Sequence, residues 1–455
     1  MATTEQNTTV KKQRSVIIIG AGWAGLAAAV KLIHAGYKVT LLESARQVGG
    51  RARRVAFNKL RVDNGQHLLI GAYQDTLELM SFLKIDPAEK LLRQSLSLTS
   101  YYKNGKSVSL STANIIAPLH LFVGLLRAGG LSLRERVHAL LFGRRLFMHG
   151  FKFKNDISVE AMMQRYKQPA GLCEKLWYPL CIAIMNTSPQ LASAQIFLRV
   201  LFDSFKGSNE SSDFLFTRDD LSSLLPDPAV EYIEKNGGSV KLGQRVTALD
   251  VNEHNSISVQ VDEQDYHAEH VIIATTPHAC NSLIMNIPAL KQLAHDLSKF
   301  NYEPIVTVYL QYPEQTKLPQ HMIGLIDCTT QWLFDRRIYD QPGLMAAVIS
   351  SSGPHMELDN DALAQQVQNE IATLFPDWPK AEDVMIIREK RATFSCRHGI
   401  NNIRPDNTTA INNLWLAGDY TNTGYPATLE GAVRSGLQCA ELIIQQQDQQ
   451  RDTNR

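Results

Sequence analysis

The apolar positions of this chain change period twice in its first forty-odd residues. Ser15-Val16-Ile17-Ile18-Ile19 is a β-like apolar run that stops at Gly20. From Trp23 to about His34 the spacing becomes helical, and Lys38-Val39-Thr40-Leu41-Leu42 returns to a strand pattern ending at Glu43. Further on, Gly237-Gly238 caps a helix before two more strand patterns, Ser239–Leu242 and Val246–Leu249. His270-Val271-Ile272-Ile273 and Leu414-Trp415-Leu416 also read as strands. Between them, 86–227 reads as helical, and 289–404 contains strand-like runs such as Ile305–Leu310. The longest dense apolar run, Ile115 to Leu126, is too short to span a bilayer and carries Pro118 and His120.

The turn between the first strand and first helix carries Gly20-Ala21-Gly22-Trp23-Ala24-Gly25. Gly20 permits a tight turn, Gly22 lets a pyrophosphate approach the backbone, and Gly25 lets the helix pack closely on the strand. The helix N-terminus supplies free N–H groups and a positive dipole end for phosphates. Glu43, at the end of the next strand, is placed to accept hydrogen bonds from a ribose diol. These features predict a dinucleotide site and leave NAD and FAD both open.

Composition fits a folded enzyme. Of 455 residues, 44% are hydrophobic and 20% charged, enough for a large core and two structural domains. With 46 basic against 45 acidic residues, no nucleic-acid partner is indicated. The six cysteines, Cys173, Cys181, Cys280, Cys328, Cys396 and Cys439, have no C-x-x-C spacing, so no metal site or disulfide framework is expected. A reducing, cytoplasmic setting follows most simply. Residues 1–14 lack a signal-peptide core and read as a disordered tail, and the glutamine-rich 446–455 read as a polar, fraying tail.

Just past Glu43 and Ser44 comes Gly49-Gly50-Arg51, and near the other end of the chain Leu414–Leu416 runs into Ala417-Gly418-Asp419-Tyr420. A helix start, Thr428-Leu429-Glu430-Gly431-Ala432, follows. In this order the motifs resemble those of the amine oxidase and phytoene desaturase superfamily of FAD proteins. The resemblance implies an α/β fold, with a discontinuous Rossmann-like FAD-binding domain from 15–85, 228–288 and 405–445 and an α+β substrate domain from 86–227 and 289–404. It also implies FAD contacts from Gly20, Gly22, Trp23, Ala24, Gly25, Glu43, Ser44, Gly50, Arg51, Gln66, His67, Val246, Gly418, Asp419, Thr428, Leu429 and Ala432.

Narrower stretches extend it. Asp63-Asn64-Gly65-Gln66-His67, Leu176–Pro189, Leu221–Pro228 and Gly418–Thr428 resemble the squalene-associated FAD-dependent desaturases, the hydroxysqualene dehydroxylase family of bacterial hopanoid synthesis. Tyr420 and Tyr425 stand where tryptophan is expected in that family, which keeps the aromatic character. The implied reaction is reductive loss of an allylic hydroxyl from the isoprenoid lipid hydroxysqualene, giving squalene. Tyr425 and His67 are the expected walls of the substrate pocket, and no catalytic residue is assigned. Asp213, Asp219 and Asp220 are candidate acids, although a helix cap or surface ion pair suits each better.

Neither a redox cysteine pair nor a second dinucleotide turn is visible. Reducing equivalents would therefore come from the organic substrate or an outside electron donor. The run 115–145, with Arg127, Arg134, Arg136, Arg144 and Arg145, admits two readings: peripheral contact with the cytoplasmic membrane, or a core helix pair with solvated cations. Two rival functions use the same motifs. An FAD-dependent polyene desaturase or amine oxidase would run hydride the opposite way, and a non-catalytic prenyl-lipid carrier would not need the intact glycines, Glu43, Arg51 and Asp419.

Overall fold

The computed structural model describes residues 14–113, 115–153, 155–252 and 257–453. The tail expected over 1–14 lies outside the described residues except for Arg14.

The isoleucine-rich first strand, Ser15–Ile19, sits at the centre of a five-stranded parallel sheet in the order 239–242, 38–43, 15–19, 270–273, 414–416. Strands far apart in sequence thus become neighbours, and their C-terminal ends share one edge, where open α/β sheets place ligands. One face packs on the helices Trp23–His34, Pro226–Lys235 and Leu429–Thr453. Close approach sets that packing: a Cβ on Gly436 would lie 2.1 Å from the Ala24 carbonyl oxygen. An antiparallel ribbon, 246–251, 257–261 and 264–268, packs on the other face with the helix Pro277–Ile284.

A second, seven-stranded sheet runs 383–394, 302–311, 344–350, 332–335, 322–326, 97–102, 107–111. One of its faces buries Leu363, Val367 and Ile371 of the helix Asn360–Leu374. Its other face carries Trp332, Phe334 and Val348.

Two expectations are corrected. The segment 86–227 is not purely helical, because Ser97–Tyr102 and Ser107–Ser111 form the end of the large sheet, with Ser97–Tyr102 parallel to Met322–Ile326. Their serine-rich alternation hides both strands of a local hairpin, and Ser97–Tyr102 takes its second partner from more than 200 residues away. The glutamine-rich end does not fray from 446, since the last helix continues to Thr453. Gln447 is buried there, accepting from the Tyr37 hydroxyl at 2.8 Å and lying 2.8 Å from His270 Nε2. Satisfied amide groups let a polar side chain dock where burial alone would be unfavourable.

Candidate functional site

A cavity of about 830 Å³ opens along the C-terminal edge of the parallel sheet and continues beneath the large sheet. Its first half is built mostly from backbone. Gly20, at φ +107°, makes the turn into the Trp23–His34 helix; a Cβ there would sit 2.7 Å from the Ala274 carbonyl oxygen. Gly22, at the N-cap, supplies no side-chain cap, which leaves first-turn N–H groups for an anion. Gly25 is the one residue of the expected contact set that is not on the cavity wall: its Cβ would lie 2.0 Å from the Gly20 carbonyl oxygen, so it serves helix–strand packing.

Glu43 lines this trough with Ser44. Its carboxylate accepts from the Ala21 N–H at 2.7 Å and the Ala45 N–H at 2.8 Å, so it both fixes the glycine turn and keeps lone pairs for a diol. Across the trough, Arg51 donates to Asp419 at 2.7 Å and to the Ala392 carbonyl at 2.9 Å. Burial works against its charge, but Asp419, with Glu389 and Tyr302 behind it, outweighs that and raises the Arg51 pKa. Val246, Gly418, Thr428, Leu429, Ala432, Trp23, Ala24 and Gly50 complete the lining. The uncapped helix end, the close-approach glycines and the carboxylate fit a pyrophosphate flanked by a ribose, and these residues would hold the dinucleotide.

The second half is built from side chains. Ile182, Met185 and Asn186 come from the helix Tyr178–Met185 and its left-handed C-cap, within the Leu176–Pro189 stretch singled out above. Val200 comes from the helix Ala194–Lys206 and Phe214 from a short strand. Ile305, Trp332, Phe334, Val348 and Ser350 come from one face of the large sheet: Ile305 pairs with Ser350 and Trp332 with Val348. This wall is an apolar chamber with few polar groups.

His67 and Tyr425 both line it. Burial and the nearby Arg51 charge lower the His67 pKa to about 4, so its imidazole is neutral at pH 7. Tyr425 is buried between Arg434, 4.3 Å from its ring centre, and Arg199, 5.6 Å away. Its hydroxyl donates to Asp203, which also accepts from Arg199 Nε at 3.0 Å. Burial first, and Asp203 second, push the phenol pKa up, and it stays protonated.

Two buried arginines escaped the sequence reading. Arg336 is fully buried; it donates to Gln66 Oε1 at 2.8 Å and Gln341 Oε1 at 2.7 Å, and it lies 3.7 Å from Asp63. Burial raises the Asp63 pKa to about 6, although Arg336 and the Leu221 N–H oppose the shift. Gln66 also donates to the Tyr339 hydroxyl at 2.9 Å, so its amide anchors the segment that presents His67. Arg404 donates to the carbonyls of Asp419 at 2.9 Å and Tyr425 at 2.7 Å, stapling the loop that carries both. Nothing local in sequence marks either arginine. Trp332 and Phe334 had a signal, since alternate residues of a strand face one side.

The candidate acids lie elsewhere. Asp220 caps the helix Leu221–Leu224 and pairs with Arg54 at 3.0 Å, Asp219 lies 3.5 Å from Lys90, and Asp213 lies 3.4 Å from Arg93. None of the three lines the cavity. Among the described residues, no cluster of three or more His, Cys, Asp or Glu side chains is arranged to hold a metal ion.

The model of the flavin containing amine oxidoreductase family matches residues 23–444. The chain belongs to this family. As a member of it, the protein is an FAD-dependent oxidoreductase, and FAD is its cofactor. Among curated relatives, hydroxysqualene dehydroxylase of Rhodopseudomonas palustris is 28% identical over 95% of this chain and 98% of its own. That of Zymomonas mobilis is 26% identical over 94% and 98%. A 15-cis-phytoene desaturase of Solanum lycopersicum is 24% identical over 95% of this chain and 78% of its own. Solved structures share the amine oxidoreductase fold: a putrescine oxidase variant superposes with a TM-score of 0.75 at 16% identity, covering 95% and 99% of the two chains. Cyclohexylamine oxidase of Brevibacterium oxydans gives 0.72 at 16% identity, over 96% and 100%.

Proposed function

We propose that the protein removes the allylic hydroxyl of hydroxysqualene reductively, giving squalene and water, in a squalene and hopanoid pathway. The observation that carries this reading is the apolar chamber, continuous with the dinucleotide trough and walled by Ile182, Val200, Phe214, Ile305, Trp332 and Phe334. A long hydrocarbon has few polar handles, and such a wall accepts it. Full-length similarity to two hydroxysqualene dehydroxylases supports the same choice.

When bound, reduced FAD supplies the hydride. The balance is a C–O bond broken, a C–H bond formed, one proton taken up by the departing oxygen as water, and FAD left oxidised. The chain's own task is to hold the allylic carbon, assist the departing oxygen and keep bulk water from the developing cation. Trp332 and Phe334 offer π faces to positive charge. Tyr425, whose hydroxyl proton is committed to Asp203, is a fixed wall of the chamber that positions the substrate, and the proton for the leaving oxygen is not assigned to it. His67, neutral and held beside Arg51, orients substrate rather than supplying a proton from an imidazolium.

Similarity to a phytoene desaturase supports a second reading, in which oxidised FAD takes hydride from a polyene. An anaerobic incubation separates the two. Protein reduced chemically and mixed with hydroxysqualene is expected to form squalene as the flavin reoxidises, one for one. Flavin that stays reduced with hydroxysqualene, in a protein that when oxidised is bleached by phytoene, would reverse the assignment.

A further inference from the structure

The hairpin of helices Leu119–Arg127 and Leu133–Met148 presents a surface that the fold leaves uncovered. Among the described residues, eight of the eleven exposed large apolar side chains fall between 115 and 148, including Ile116 at 73%, Leu133 at 75% and Met148 at 65% exposure. They are ordered. Leu133, Val137, Leu141 and Met148 stand at i, i+4, i+8 and i+15, which at about 100° per residue places them in one stripe along the second helix. Ala139, Phe142 and Leu146 on the other side of the same helix are buried, so its inward face is already satisfied. The helix therefore has two apolar stripes, one packed and one bare.

Charge completes the picture. Arg134 and Arg145 are exposed beside the bare stripe, Arg144 is exposed within it, where its long stem can carry the guanidinium out to the phosphates, and Arg127 is exposed at the end of the first helix. The stretch 115–150 contains a single carboxylate, Glu135, which is buried and bonded to Lys175 at 2.8 Å. The outward face thus offers hydrocarbon and cations with no anion among them. Water alone disfavours such a face, and a protein partner would need an apolar surface rimmed only by acids. A bilayer with anionic headgroups supplies both components in the right layering, acyl chains under phosphates. The attachment is peripheral, because no described helix is long and apolar enough to cross a membrane.

We infer that this hairpin docks the protein on an anionic lipid bilayer, with the Leu133–Met148 stripe at the acyl boundary and the arginines at the phosphates. Packing links it to the chamber. Rings of Phe122, Phe147, Phe151 and Phe202 follow one another at 5.8, 5.1 and 5.5 Å, joining the hairpin to the helix whose Val200 lines the cavity. The inference rests on the surface alone and not on the identity of the substrate, so a binding assay and the turnover assay fail independently.

The test is flotation of the FAD-loaded protein with vesicles of phosphatidylcholine containing phosphatidylglycerol, and with phosphatidylcholine alone. Wild type is expected to float with the anionic vesicles and to be partly released by salt. The pair Leu133→Glu and Leu141→Glu is expected to weaken binding by about ten-fold or more. The pair Arg144→Gln and Arg145→Gln is expected to lower binding to anionic vesicles about ten-fold and to leave any binding to neutral ones unchanged. All four positions are exposed, and retained flavin absorbance and melting temperature show that the variants fold. Wild type that stays with the soluble fraction, or apolar-stripe variants that float like wild type, would overturn the inference. So would light scattering showing a dimer that Leu133→Glu with Leu141→Glu splits, since the face would then belong to a second copy.

Discussion

The two halves of the cavity are made of different material. The dinucleotide trough is mostly backbone: a glycine turn, an uncapped helix end and a paired arginine and aspartate, drawn from short contiguous motifs. The chamber is mostly side chain, with Ile182, Val200, Phe214, Ile305, Trp332 and Tyr425 brought together from six separate segments. A site made of backbone restricts which residues can stand there, because only some tolerate the geometry. A site made of apolar side chains accepts many alternatives of similar volume, so it carries chemistry without a fixed local signature.

The contrast can be broken at several points. The largest expected effect is at the buried arginine that holds Gln66 and faces Asp63. Arg336→Met leaves Asp63 buried without its cation and is expected to cost about 3–5 kcal/mol of stability, read as a lower unfolding midpoint. A variant as stable as wild type would mean that Arg336 does not hold the Asp63–His67 segment. Next is Gly20→Val. Its side chain has no room beside Ala274 and no easy conformation at φ +107°, so FAD affinity should fall about 100-fold, or roughly 2.7 kcal/mol, in a titration of apoprotein. Normal FAD binding there would contradict a backbone-built trough.

Tyr425→Phe addresses the other half. The ring remains between Arg199 and Arg434, so FAD binding should hold, while loss of the tether to Asp203 loosens the wall and slows single-turnover reoxidation about 10-fold. An unchanged rate would mean that the tether to Asp203 does not position the wall.

The smallest effect concerns pH. The folded-state pKa of His67, near 4, lies below its ordinary value of 6.5. The unfolded chain therefore binds the extra proton first, and the stability due to neutral His67 is present above pH 6.5 and lost as pH falls toward 4. Between pH 6.5 and 5.5 that loss is about 1 kcal/mol, and His67→Gln should remove it in denaturant titrations at the two pH values. An identical pH slope in the variant would mean that His67 is solvated.

Legibility in the sequence follows the same division. The strand Ser15–Ile19, the helix Trp23–His34 and the strand at Leu414–Leu416 were visible because apolar periodicity and glycine placement act locally. Ser97–Tyr102 was not, because its serines carry no apolar alternation and its place in the sheet comes from pairing with Ser107–Ser111 and with the distant Met322–Ile326. The same reason hides Arg336 and Arg404, whose acceptors are gathered only by the fold. Ile115–Leu126 gave an ambiguous signal. Apolar residues look alike in sequence whether buried or bare, and only the packed structure separates Leu121, buried, from Leu119, exposed.

The central claim is that this cavity delivers hydride to carbon as hydroxyl departs. A single anaerobic turnover in D2O tests it, because the transferable hydrogen of reduced flavin exchanges with solvent. The account predicts squalene carrying one deuterium, formed as fast as the flavin reoxidises. Squalene without the label, or reoxidation without squalene, would contradict it.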